Sequence, residues 1–242
     1  MELTILHLFP DFMSLYGEYA NVAVLRRYLE SMGVTVTVRA VNCEDEPDFS
    51  DADLIYMGAG TERKQKIALE KLLPHGSELK AAVEQGAVVL FTGNAMETLG
   101  ASVTDAKGKI WPGFGLADFT TVEYDRRDPG DVAAYCGLWD GEIVGFMNKC
   151  SVTHGVTTPL FTEVSGFGNE ESCAPEGYVS GNVFATHLTG PVLVKNPDFL
   201  SLITRRLFER KGWECPTELP ALPHQREAHE VTLRELKARF GS

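Results

Sequence analysis

The hydrophobic pattern divides the chain in two. In the first half, short apolar runs alternate with segments whose apolar residues recur every three or four positions. Leu3 to Leu8 is a short apolar strand, and Tyr19 to Met32 places Val22, Leu25 and Leu29 on one helical face, with Gly33 as the stop. Val34 to Val38 alternates as a strand does. Asp53 to Met57 reads as a buried strand ending at Gly58-Ala59-Gly60, after which Thr61 can cap a helix running through Ile67 to Leu73. Another helix, Ser77 to Glu84, closes at Gly86. Ala87 to Phe91 is the most apolar run of all; it ends in Thr92-Gly93-Asn94 and is followed by a helix from Ala95 to Leu99, stopped by Gly100. Strand and helix in turn predict right-handed βαβ units and a mainly parallel sheet.

The second half changes period. Ile110 to Val122, Ala133 to Cys136, Ile143 to Phe146, Thr162 to Val164, Tyr178 to Val179 and Val183 to His187 read as short strands joined by Gly-rich turns. Asp198 to Lys211 is an amphipathic helix with Phe199, Leu202, Ile203 and Leu207 inward. Pro216, Pro220 and Pro223 then interrupt regular structure, and Glu227 to Phe240 forms a polar, charge-laced helix. The expected division is a single domain over residues 1–213 and a Pro-rich linker with a C-terminal helix over 214–242.

Composition narrows the class without adding chemistry. With 242 residues, 44% hydrophobic and 23% charged, the chain is long enough to bury a core without disulfides. Its five cysteines are scattered and form no CxxC pair, so free thiols in a reducing cytoplasm are expected, with no zinc or other cofactor. No run approaches the roughly 18 apolar residues of a membrane span, and the first residues lack the basic start of a signal peptide. A formal net charge of −12 argues against nucleic-acid binding.

In an open α/β sheet, ligands bind beyond the carboxyl ends of the central strands. Two strand ends stand out, Gly58-Ala59-Gly60 and Thr92-Gly93-Asn94-Ala95, because small residues there let the backbone approach a ligand and leave amides free. Two tight strand-to-helix turns would read the same way.

At these strand ends and along most of the chain, from Leu3 to about Trp213, the sequence resembles the class I glutamine amidotransferases of the CobB/CobQ-like group, and within it the GatD type. The resemblance is carried by Leu6-His7-Leu8, Leu15 through Asn21, Met57 through Gln65, Val144-Gly145-Phe146 with Asn148, Gly166-Phe167-Gly168-Asn169, and Gly190 through Asn196. It implies a three-layer α/β sandwich of the flavodoxin-like type, with a mostly parallel central sheet and an added antiparallel part. It also implies glutamine hydrolysis supplying ammonia to a MurT-like, Mur-ligase-like ATP-dependent synthetase that amidates lipid II, with no membrane insertion.

The resemblance fails at the reactive groups. The family's elbow reads Cys-Gly-Gly-Tyr-Gln-x-Leu-Gly, and the stretch here is Gly93-Asn94-Ala95-Met96-Glu97-Thr98-Leu99-Gly100. The shared Leu-Gly puts Gly93 in the nucleophile slot. The family's histidine lies in Tyr-Leu-His-Gly-Pro, and Thr189 fills that slot in His187-Leu188-Thr189-Gly190-Pro191. Glycine has nothing to attack with, and threonine cannot shuttle a proton near neutral pH. Other groups are open to either of two readings. Thr92 is a nucleophile or a strand-end hydroxyl; His187, on the same strand face as Thr189, looks into the site or lies in the core; Cys150, with His154 nearby, is reactive or simply a small buried thiol. Arg127 falls where the GatD type carries a glutamine-binding arginine, whose guanidinium suits an α-carboxylate; otherwise it is a loop arginine. Glu97, replacing the family's glutamine, adds negative charge. The expected ligand site is therefore Gly58, Ala59, Gly60, Asn94, Arg127 and His187, for glutamine or a related small amino acid, with Gly93 and Thr189 leaving no intact catalytic pair. Three functions stay open: a glutaminase-deficient subunit, an active amidotransferase with an altered dyad, and a small-molecule sensor.

Overall fold

The structure, a computed structural model, describes residues 1–241; Ser242, the end of the C-terminal segment, lies outside the described residues. In chain order the elements are β1 (Glu2–Leu8), α1 (Tyr19–Ser31), β2 (Thr35–Val41), β3 (Leu54–Met57), α2 (Glu62–Leu72), α3 (Gly76–Glu84), β4 (Val88–Thr92), β5 (Ser102–Thr104), β6 (Ile110–Pro112), β7 (Thr120–Cys136), β8 (Gly141–His154), β9 (Thr162–Ser165), β10 (Tyr178–Ser180), β11 (Val183–Thr186), α4 (Val192–Lys195), α5 (Pro197–Lys211) and α6 (Pro223–Phe240). Thr61 does cap α2: its side chain accepts from the Lys64 amide at 3.3 Å.

Six strands form the main sheet in the order β10-β11-β4-β3-β1-β2, parallel except for β10. Two apolar clusters sandwich it. One gathers α1, α4 and α5 around Leu25, Phe184, Phe199 and Leu207; the other gathers α2 and α3 around Ile55, Leu69, Leu79 and Phe91. Register fixes where the functional loops emerge. Met57 of β3 lies opposite Phe91 of β4, and Thr92 of β4 opposite Thr186 of β11. The residues after these three strands therefore leave the sheet side by side.

The second half departs from its predicted pieces. The expected strand Ile110 to Val122 splits into β6 and the start of β7; β7 then runs on through the polar stretch into the expected strand Ala133 to Cys136, paired with β8 along a hairpin whose register shifts between Glu123 and Asp128. Arg126 to Asp131, expected as a polar loop, is part of this strand. Pro129 is tolerated because β9 pairs with β7 only at Ala133 and Tyr135, leaving Pro129 a strand partner on one side alone. Ala95 to Leu99 is a 3-10 turn beginning at Gly93 rather than an α-helix, and β5 and α4 were not visible in the pattern. Helix α6 starts earlier than expected, at Pro223. It lays Leu236 on Ala133 and Val144 of the hairpin, and Lys237 pairs with Glu142 at 2.7 Å.

His7 on β1 is buried edge-on against the Tyr56 ring (5.2 Å between centroids), and its Nε2 has no hydrogen-bond partner. Burial lowers its pKa from 6.5 to about 4. The folded protein thus keeps His7 neutral in a window where the unfolded chain takes up a proton. Stability contributed by the neutral ring is lost as pH falls from about 6.5 to about 4. Thermal unfolding across that range should show a steeper loss of Tm in the wild type than in His7→Phe. Equal slopes would show that the folded state accepts the proton.

Candidate functional site

The three aligned strand ends build the site. After β4, Gly93 adopts φ +60°, a region that costs an L side chain about 1–2 kcal/mol. A Cβ placed on it would lie 2.5 Å from Ala59 Cβ and 3.0 Å from Thr189 Cγ2. Thr189 donates its amide to Phe146 O at 2.8 Å, and its hydroxyl also reaches that oxygen at 3.2 Å, so β8 holds it in place. Asn94 faces Gly60: the Gly60 amide donates to Asn94 Oδ1, and Asn94 Nδ2 donates to Gly60 O, both at 3.0 Å.

A cavity of about 200 Å³ opens over these residues, lined among others by Ala59, Gly60, Gly93, Asn94, Arg127, His187 and Thr189. The structure thus brings together every residue of the expected ligand site except Gly58; Thr92 and His154 also lie outside the lining. A Cβ on Gly58 would strike Glu18 Cβ and Met13 O at 2.8 Å, so this glycine serves the packing behind the loop and does not line the cavity.

The floor is polar and buried. Glu97 is buried; its carboxylate accepts from Ser151 Oγ and from Gln65 Nε2, each at 2.6 Å. Gln65 Nε2 also donates to Asn94 O at 2.5 Å, and Gln65 Oε1 accepts from Lys66 Nζ, which pairs with Glu123. His187 is buried with both ring nitrogens engaged. Nδ1 lies 3.1 Å from Glu176 Oε1; Nε2 lies 3.3 Å from Thr153 Oγ1 and 3.9 Å from Glu97 Oε1. It is a satisfied core histidine whose edge reaches the cavity. Lys149 turns its ammonium to the carbonyls of Gly168 and Asn169, and burial lowers its pKa. Behind the strand ends, buried Glu18 accepts from Thr92 Oγ1, from Tyr56 OH at 3.1 Å and from the Gly190 amide at 2.7 Å; burial, the largest influence, raises its pKa.

The mouth is an ion pair. Arg127 Nη2 meets Glu62 Oε1 at 2.6 Å and Nη1 donates to Asn148 O at 3.2 Å, while Asn148 Nδ2 donates to Tyr16 OH at 2.7 Å. Cys150 Sγ donates to the same Glu62 oxygen at 3.3 Å.

Several of these groups escaped the sequence reading. Glu18, Glu62, Glu123, Ser151 and Glu176 carry no motif of their own as single residues. The signals available were the family-like runs Leu15 to Asn21, which holds Glu18, and Met57 to Gln65, which holds Glu62, and the polar run Asn148-Lys149-Cys150-Ser151.

Chemically, the site offers acceptors, cations and the thiol of Cys150, with no side chain at Gly93. Thr92 Oγ1 is fully buried and committed to Glu18 and Tyr56, away from the cavity. Burial, and then the negative charge of Glu62, push the Cys150 thiol up to about 12. At pH 8 that leaves roughly one thiolate in 10⁴. Iodoacetamide on the folded protein should therefore modify exposed Cys173 and spare Cys150, as read by peptide mass spectrometry. Stoichiometric capture of Cys150 by a diazo-ketone glutamine analogue would instead make that thiol a working nucleophile.

Comparison with known proteins agrees with this geometry at the level of family. Residues 4–197 match the CobB/CobQ-like glutamine amidotransferase domain. The lipid II isoglutaminyl synthase (glutamine-hydrolyzing) subunit GatD of Staphylococcus aureus is 30% identical over 211 residues, covering 87% of this chain and 86% of that protein. The subunit of the same name from Streptococcus pneumoniae is 29% identical over 224 residues, covering 91% and 85%. Among solved structures, a glutamine amidotransferase from Thermotoga maritima superposes with a TM-score of 0.51 at 10% identity, covering 99% of this chain and 94% of that one. A second glutamine amidotransferase superposes with a TM-score of 0.55 at 16% identity, covering 86% and 98%. Those two structures share the fold, the three-layer class I amidotransferase sandwich, and the sequence match shows that this chain belongs to the CobB/CobQ-like glutamine amidotransferase family and is of the GatD type.

Proposed function

We propose that this chain is a GatD-like subunit that does not hydrolyse glutamine and acts as the structural or regulatory partner of a MurT-like, Mur-ligase-like ATP-dependent synthetase in lipid II amidation. The single observation that carries the reading is the condition of the nucleophile position. Gly93 stands at the carboxyl end of the central strand at φ +60°, beside Thr189, and Ala59 occupies the space that a side chain there would need. Amidotransfer through a thioester needs a thiolate, a base to make it and donors for the oxyanion. Thr189 supplies no base, and Cys150 is held protonated by burial and by Glu62. Losing both members of a dyad leaves little beyond binding.

Binding itself is favoured by the cavity that remains. Arg127 can receive the α-carboxylate of glutamine or a related small amino acid bidentately if it exchanges its bond to Glu62. Glu97 and Glu123 give the floor negative charge, which suits an ammonium or an amide better than a second carboxylate. The same cavity supports a free-standing sensor as the second reading. The two differ in whether the protein forms a stable complex with a Mur-ligase-like synthetase on size-exclusion chromatography.

The activity test is ammonia and glutamate release from glutamine, with and without that synthetase. The wild type is expected to show none above background. Gly93→Cys and Thr189→His singly should do almost nothing, because a dyad works as a unit, and the pair should recover little. Clear turnover by wild-type protein free of contaminating glutaminase would sink this reading and leave an altered dyad as the better one.

A further inference from the structure

We infer that Ala59 and Asn94 seal the former reaction centre, and that these two residues, beyond the missing cysteine and histidine, determine that the pocket cannot house an acyl intermediate. The inference rests on the reading that Gly93 is the nucleophile position, and deepens it.

Two contacts carry it. The first is steric. A Cβ at residue 93 would meet Ala59 Cβ at 2.5 Å, well inside van der Waals contact. Ala59 cannot back away. Its carbonyl is held by the Leu15 amide at 2.9 Å, and the glycines on either side press against Met13, since a Cβ on Gly60 would lie 2.3 Å from Met13 Sδ and one on Gly58 2.8 Å from Met13 O. The loop after β3 is thus pinned from behind while its one methyl points at the end of β4. Where the family has a glycine triplet, this chain has put a methyl group into the volume of a nucleophile's Cβ.

The second contact is polar. The Gly60 amide is the donor at the end of β3 that faces the cavity, and it is spent on Asn94 Oδ1. The Asn94 carboxamide in turn donates to Gly60 O. Two hydrogen bonds between the Asn94 carboxamide and the N–H and C=O of Gly60 close a ring, so the Gly60 N–H is not left to donate to a ligand oxyanion. Asn94 is itself clamped: its carbonyl accepts from Gln65 Nε2, and Gln65 is fully buried and tied to Glu97 and Lys66. A tetrahedral intermediate at this place would have to break that ring first. Gly93 still lines the cavity, but the volume of a side chain there is taken by Ala59 and the Gly60 donor beside it by Asn94.

A double-mutant cycle on thermal stability tests the steric half without any thiol chemistry. Gly93→Ala should lower Tm by about 5 °C or more, because overpacking costs on the order of 1–3 kcal/mol and each kcal/mol shifts a chain of this size by about 2–4 °C. Adding Ala59→Gly should recover at least about half of that loss, beyond the effect of Ala59→Gly in the wild-type background. If Gly93→Ala fails to fold and the Ala59→Gly/Gly93→Ala pair folds, the inference is likewise supported. Strictly additive effects, or an unchanged Tm in Gly93→Ala, would overturn it. The polar half is read by turnover. The quadruple variant Ala59→Gly/Gly93→Cys/Asn94→Gly/Thr189→His should release ammonia from glutamine at least about 10²-fold faster than Gly93→Cys/Thr189→His, the usual size of an oxyanion donor's effect. Equal rates in those two variants would remove Ala59 and Asn94 from this role, while leaving the wild-type assay to decide separately whether the chain is a glutaminase.

Discussion

The pocket depends on one steric constraint: the ends of β3 and β4 come so close that residue 93 has no room for a side chain. The pairing of Met57 with Phe91 brings the two loops together, and the loop after β3 cannot retreat because Met13 packs behind it. Glycine meets both demands of position 93, a positive φ and a missing Cβ. The same geometry brings the end of β4 to the cavity wall at Gly93.

Around this point the protein holds three buried carboxylates, Glu18, Glu97 and Glu176. Burying such groups is costly unless each is met by hydrogen bonds, and each is. Glu18 ties α1 to β3, β4 and the turn after β11 through Asn21, Tyr56, Thr92 and Gly190. Glu97 ties the turn after β4 to α2 and β8 through Gln65 and Ser151. Glu176 holds the segment after β11 through Thr186 and both the amide and the ring of His187. Leaving one such group unsatisfied costs on the order of 1–3 kcal/mol, and more when it is charged. The network therefore maintains the shape of the site whether or not any chemistry takes place in it.

The main sheet was legible in the sequence because its strands are short apolar or alternating runs, several of them bounded by glycines, and the helices between them carry a clean apolar face. The antiparallel half was less so. Arg126 to Asp131 is charged and contains Pro129 and Gly130, which reads as a turn; only the pairing with β8 makes it strand. The site divided in the same way. Gly93, Ala59, Asn94, Arg127 and Thr189 could be placed because they sit in ordered motifs of a family. Glu18, although inside the family-like run Leu15 to Asn21, and Glu176 could not be given their roles, because a buried carboxylate looks like a surface one until its donors elsewhere in the chain are known. His187 could be read either way, and what decides for the core is Glu176, which no local pattern connects to it.

A catalytic centre that had merely lost its cysteine would show the damage. Truncating a side chain leaves a void, which destabilises in proportion to its volume, and an oxyanion site with nothing to bind leaves a buried amide unsatisfied. Neither penalty remains at the ends of β3 and β4: Ala59 fills the space and Asn94 satisfies the Gly60 peptide. Thr189 adds a methyl to the same contact and returns its hydroxyl to Phe146 O. These residues are small and touch one another or the same glycine, and their mutual fit completes the packing at the ends of β3 and β4 without a side chain at position 93.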